Sequence, residues 1–246
     1  MRALVTGAGG RLGRAMAVAL AGEGHDVAVH YASSVEGANE TVRTIEAAGR
    51  RAVALRADLT SAAEAQALLP SAADALGGPV TVLVNSASVF EPDAIGTVTP
   101  DRWRRHLAVN LEAPVLLTQA MAAQGLVPEE GDEPTATGLI VNMLDEKVLH
   151  PTSGFLSYTL AKCGLHALTR VAAQALGPAI RVNAIAPGAT VIGVRQSEEH
   201  FSAMRADSPL RRGGDAGDIC DALRYLLHAR AVTGQVICVD GGRHLA

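Results

Sequence analysis

Short runs of aliphatic and β-branched residues alternate with alanine-rich stretches of helical period from the first residues almost to the last. A brief apolar run bounded by glycine or polar residues reads as a strand buried on both faces, whereas apolar positions three and four apart read as one face of a helix. The pattern predicts strands near 2–6, 26–31, 51–56, 80–85, 138–143, 180–186 and 235–239. Helices are predicted near 11–23, 35–48, 61–76, 100–124, 153–176 and 215–229. Such alternation is the signature of βαβ units, whose right-handed crossovers build a parallel sheet with helices on both faces. The expected fold is α/β: a doubly wound sheet of seven parallel strands in a single domain over 1–246. Segment 189–214 breaks the alternation, and a connection of that length is more often functional than accidental, so a substrate lid is expected there.

Composition narrows the class. Nearly half of the residues are apolar but few are aromatic, which suits an Ala, Val, Leu and Ile interior. A formal charge of -4 provides no basic footprint for nucleic acid. Cys163, Cys220 and Cys238 are scattered without metal or disulfide spacing, and no histidine pair has ligand spacing backed by a third partner, so no metal is expected. No secretory leader precedes the first strand and no apolar run reaches the roughly 20 residues of a membrane span. The expectation is a soluble, cytoplasmic protein acting on a small molecule, with no nucleic-acid or membrane partner. Segment 127–137, rich in Pro, Glu, Gly and Thr, reads as a surface loop.

After the first strand, Thr6-Gly7-Ala8-Gly9-Gly10-Arg11-Leu12-Gly13 supplies a tight turn, close backbone approach and a helix N-terminus for a pyrophosphate. This makes the sheet Rossmann-like, with Gly7, Arg11 and Leu12 as cofactor residues. Arg11 opposes the helix macrodipole by about 0.3–1 kcal/mol, which an anion beside it would explain. At the end of the second strand, His30-Tyr31-Ala32-Ser33-Ser34 contains no carboxylate to bind a ribose 2′-hydroxyl. NADPH is therefore favoured over NADH, with His30, Tyr31 and Ser33 as candidate contacts; Ser33 and Ser34 could equally cap the next helix. Asp58 and Leu59 follow strand three, where Asp58 suits an adenine amino group or a turn. Asn85, Ser86 and Ala87 end strand four, where small residues admit a nicotinamide-ribose or form a plain turn.

The chemistry is carried by Asp145, Tyr158 and Lys162. Tyr158 and Lys162 lie four apart, on one helix face, and an ammonium beside a phenol lowers its pKa. Asp145 precedes Tyr158 by thirteen residues. A carboxylate next to a phenolate raises both pKa values, which disfavours simple carbonyl reduction but suits protonation of a nitrogen as hydride adds across C=N.

In order along the chain, TGAGGRLG, ADL, VNSAS, VN at 109–110, YTLAK, RVNAIAPG and VDGG resemble the short-chain dehydrogenase/reductase family over its whole length. The resemblance implies that Tyr158 is the proton donor, Lys162 holds the nicotinamide ribose, Asn110 supports a proton relay and Pro187-Gly188 meets the carboxamide. Two departures, Arg11 for a loop glycine and Asp145 for the usual serine, are similar to pteridine reductases. That likeness implies that Phe90 stacks on a pterin ring, with Arg11, Ser88, Asp145 and Tyr158 also contacting substrate. Dihydromonapterin, dihydrobiopterin and dihydrofolate are the candidates. It also implies a homotetramer built on the helix after strand four and the Tyr-bearing helix, leaving Trp103 and Arg102, Arg104 and Arg105 on a solvated or subunit-facing surface. Alternatives are a reductase of another carbonyl or imine and a non-catalytic dinucleotide-binding regulator.

Overall fold

The computed structural model describes residues 1–192 and 197–246. Strands β1 (Arg2–Val5), β2 (Asp26–Tyr31), β3 (Ala52–Arg56), β4 (Val82–Asn85), β5 (Gly138–Met143), β6 (Ile180–Pro187) and β7 (Val236–Val239) form one sheet. Their order is β3-β2-β1-β4-β5-β6-β7, and each pairing is parallel. Helices α1 (Arg11–Gly22), α2 (Val35–Ala47), α3 (Ala62–Leu76), α4 (Pro100–Leu107), α5 (Ala113–Ala123), α6 (Leu156–Leu176), α7 (Glu198–Ala206) and α8 (Ala216–His228) surround it.

The continuous apolar runs of the strands are explained by burial on both faces. Ala3 and Val5 pack toward α1, α2 and α8, while Leu4 between them packs toward α3 and α5. Full burial of such a leucine contributes about 1.5–3 kcal/mol. Because strand order reverses between β1 and β4, their carboxyl ends open the crevice in which doubly wound sheets bind ligands.

Three details differ from the expected elements. The predicted helix over 100–124 is interrupted by a π turn at Ala108–Glu112, which holds Asn110. Inside the predicted lid, α7 forms, capped by the Ser197 side chain on His200 N–H. Residues 193–196 of that segment lie outside the described residues. Finally, α6 starts at Leu156 rather than 153, because Phe155 adopts a left-handed conformation with φ 57°. Among the described residues, no helix is long and apolar enough to cross a membrane.

Candidate active site

The cofactor cradle is assembled from the ends of β1, β2 and β4. Gly7 turns out of β1 with φ 68°, and a Cβ there would lie 2.9 Å from the Ala87 backbone, so glycine lets the two loops touch. The Thr6 hydroxyl, not anticipated from sequence, accepts the N–H groups of Ser86 and Ala87 at 2.9 Å each. Behind this loop, α1 begins with Gly10 as an N-cap that forms no side-chain bond, and its first turn holds no acid. Open N–H groups and the helix dipole then favour an anion, so the cradle fits a dinucleotide pyrophosphate. Leu12 is half-buried against the core below. Arg11 has φ 53°, and an arginine in that conformation is strained by about 1 kcal/mol. Its guanidinium donates to the carbonyls of Val191 and Ile192 at 3.0 and 3.3 Å.

His30 departs from the direct phosphate contact expected of it. The ring is buried; its Nδ1 accepts Gly7 N–H at 3.0 Å and its Nε2 donates to the Ala57 carbonyl at 3.0 Å. Both nitrogens are committed, which fixes the tautomer, and burial lowers the pKa. His30 therefore braces the glycine loop from behind. Tyr31 is half-buried beside it and Ser33 is exposed. Ser34 donates to the Gly9 carbonyl at 3.2 Å rather than capping α2. Asp58 is exposed, and bonds from the N–H and hydroxyl of Thr60 hold its carboxyl below the ordinary range. Leu59 is buried next to it. On the far side, Pro187 ends β6, and a Cβ on Gly188 would lie 2.7 Å from the Asp240 side chain.

At the end of β5, Asp145 meets Tyr158 of α6. One carboxylate oxygen accepts the Tyr158 hydroxyl at 2.8 Å and the other accepts Lys147 N–H at 3.0 Å. The Tyr158 phenol is pushed well above its ordinary value, first by burial, then by the charge of Asp145 and by the hydrogen bond to it. That reverses the depression expected from Lys162, whose Nζ lies 5.7 Å from the Tyr158 ring centroid and donates to the Met143 carbonyl at 2.6 Å. Burial pulls Lys162 down to about 8, against the opposing pull of Asp145. Asn110 is fully buried, and its amide accepts Val89 N–H at 3.0 Å and donates to the Val89 carbonyl at 2.9 Å. Its side chain is thus committed to the loop that carries Phe90.

Phe90 is 52% exposed at this crevice, with Ser88 also exposed two residues before it. Its ring lies parallel to Phe155 at 4.3 Å and edge-on to Tyr158 at 4.7 Å. Phe155, one of only three phenylalanines, was not anticipated from the sequence. Nor was a buried cluster beneath these rings. Ser157 donates its hydroxyl to Asp93, whose other oxygen accepts Ser157 N–H at 3.1 Å. His106 Nδ1 lies 2.9 Å from the Ser157 oxygen, and its Nε2 accepts Glu91 N–H at 3.2 Å. Arg102 donates to the Pro92 carbonyl at 2.9 Å, so part of the arginine cluster on α4 secures this loop. Nothing in their spacing distinguishes Asp93, His106 and Ser157 from surface polar residues. Among the described residues, no group of three or more His, Cys, Asp or Glu side chains could hold a metal.

The order of these parts along a seven-stranded parallel sheet defines a dinucleotide-dependent oxidoreductase. A family model described as enoyl-(acyl carrier protein) reductase matches residues 7–244. The chain belongs to the short-chain dehydrogenase/reductase family. It is 38% identical over 249 residues to an uncharacterized oxidoreductase of Methylorubrum extorquens, covering 98% of this chain and 96% of that one. It is 31% identical over 248 residues to the 3-oxoacyl-[acyl-carrier-protein] reductase FabG of Staphylococcus epidermidis, covering 99% and 98%. Among solved structures, FolM alternative dihydrofolate reductase 1 from Brucella canis, complexed with NADP, is 39% identical with a TM-score of 0.91, covering 100% of this chain and 94% of that one.

Proposed function

We propose that this protein is an NADPH-dependent pterin reductase. The carrying observation is the Asp145–Tyr158 hydrogen bond of 2.8 Å beside the exposed ring of Phe90, an acid pair next to an aromatic stacking surface. The likeness to NADP-bound FolM supports both the cofactor and the substrate class.

When bound, the nicotinamide supplies hydride to a ring carbon of the substrate. Hydride addition turns C=N into a C–H bond and a basic nitrogen, which takes a proton from the Tyr158 hydroxyl, directly or through water. Asp145 orients that hydroxyl and shares in the delivery; a neutral phenol is the form this requires, and burial with the adjacent carboxylate maintains it. Lys162 holds the ribose with its ammonium. Asn110 keeps the Phe90 loop in place through Val89 and, with Lys162, supports the relay that returns a proton to the phenol. Phe90 stacks on the pterin, with Ser88 at its edge. Arg11 and the N-terminus of α1 take the pyrophosphate, Arg11 reaching the substrate too; Asn85, Ser86 and Ala87 take the nicotinamide-ribose, Tyr31, Ser33, Asp58 and Leu59 flank the adenosine, and Pro187-Gly188 meets the carboxamide. Segment 189–214 acts as the lid, within a single domain that works as a homotetramer in the cytoplasm.

The test is NADPH oxidation with dihydromonapterin, dihydrobiopterin and dihydrofolate in parallel, alongside a panel of carbonyl compounds. Turnover of at least one dihydropterin is expected. Inert dihydropterins with active carbonyls would replace this reading by the ketoreductase one, which the likeness to FabG supports. Tight NADPH binding with no turnover of any substrate would favour a regulator.

A further inference from the structure

We infer that Arg56, at the end of β3, recognises the 2′-phosphate of NADPH, because residues 30–34 at the end of β2 contain no arginine or lysine to do so. The inference rests on the NADPH reading above. A phosphate monoester carries close to two negative charges at neutral pH and needs a cation or several donors near it. The end of β2, where that group falls in a doubly wound sheet, supplies little. His30 has both nitrogens committed, Ser34 donates to Gly9, and Ala32 and Ser33 carry no charge. The first turn of α2 lacks a side-chain cap but contains Glu36, whose charge repels an anion.

Nearby cations are otherwise engaged. Arg11 donates to Val191 and Ile192 on the pyrophosphate side. Arg14 pairs with Glu40 at 2.8 Å and donates to the Gly37 carbonyl. Arg56 is different. In the β2–β3 register it sits directly beside Tyr31, and the Ala57 N–H to Tyr31 carbonyl bond of 3.1 Å keeps the two strand ends together. Ala52 and Ala54 pack toward the α1 and α2 side, so the alternation of a strand sends Arg56 to the same face as Tyr31, where α2 begins. The residue is exposed, and among the described residues it makes no hydrogen bond and no ion pair within 4.0 Å. It acts at longer range on the Asp58 carboxyl. A long side chain with a planar donor fork, unpaired, at the strand next to the ribose site is suited to a phosphate.

Calorimetric titration of NADP+ and NAD+ into the full-length wild type, Arg56→Gln and Arg56→Lys tests this without turnover. Arg56→Gln is expected to weaken NADP+ by about tenfold or more, the loss of a charge-assisted contact, and to leave NAD+ within about twofold. Arg56→Lys should keep part of the preference, and salt should weaken NADP+ less in Arg56→Gln than in the wild type. Equal losses for both nucleotides would mark Arg56 as a structural residue and overturn the inference, as would an unchanged NADP+ to NAD+ ratio. A wild type that binds NAD+ as tightly as NADP+ would instead overturn the cofactor reading, and this inference with it.

Discussion

Replacing Asp145 with serine removes a charge that lies 2.8 Å from the Tyr158 hydroxyl. Like charges that close repel, so the carboxylate disfavours ionisation of the phenol. Burial leads the upward shift of Tyr158 and survives the substitution, while the charge and the hydrogen bond of Asp145 do not. The phenol should therefore ionise more readily in Asp145→Ser. A positioned acid contributes roughly a hundredfold to ten-thousandfold to a rate, and serine removes one of the two groups proposed to deliver the proton. Dihydropterin kcat/KM is expected to fall about a hundredfold, roughly 2.7 kcal/mol of barrier. NADPH affinity should stay within about twofold, because the Asp145 oxygens bond Tyr158 and Lys147 rather than the cofactor cradle. Steady-state NADPH oxidation gives the first number and fluorescence titration of NADPH the second. Asp145→Asn, similar in shape but uncharged, separates charge from packing. Turnover within about threefold of wild type in Asp145→Ser would refute the assignment, since no such small change is compatible with a shared proton delivery.

Other consequences follow from the burial of single groups. Lys162 titrates at about 8 in the fold against an ordinary 10.5, so between these values the unfolded chain holds a proton that the folded one has shed. Its contribution to stability thus rises with pH across that window, and Lys162→Met should be more stable than wild type near neutrality, with the gap closing toward the upper limit; a gap independent of pH in urea melts would contradict this. His30→Ala leaves Gly7 N–H and the Ala57 carbonyl without their partner and should cost about 1–3 kcal/mol of stability. Weaker NADPH binding at unchanged stability would point back to direct contact. Ser157→Ala and Asp93→Asn each break one buried network and should each lower the melting temperature, but the double variant should lose less than the sum. Strict additivity in thermal melts would show that the two residues act separately.

The elements and motif order were legible because they depend on local properties. Apolar runs report strands buried on both faces, and the turn at Gly7 needs the conformational freedom and bare Cα of glycine whatever surrounds it. Likewise, the thirteen-residue offset of Asp145 from Tyr158 announced a carboxyl near the phenol, and the two are hydrogen-bonded. His30 shows where such reading stops. Its place at the end of β2 suggested a phosphate ligand, but a ring in a strand points to one face or the other, and here it points into the protein. The π turn at Asn110 and the left-handed Phe155 were equally hidden, because packing between helices, not propensity, sustains them.

Sequence alone determined that this chain would wind a parallel sheet, cradle a dinucleotide and bring an acid, a phenol and an amine to one rim. Only the tertiary structure decided how they behave. Tyr158 and Lys162 are neighbours on one helix by spacing, yet the pKa of the phenol follows burial and Asp145, which arrives from β5. Asp93, His106 and Ser157, unremarkable along the chain, converge under Phe90 and Tyr158. Periodicity is a property of one segment, whereas desolvation and charge coupling belong to whichever segments the fold brings together.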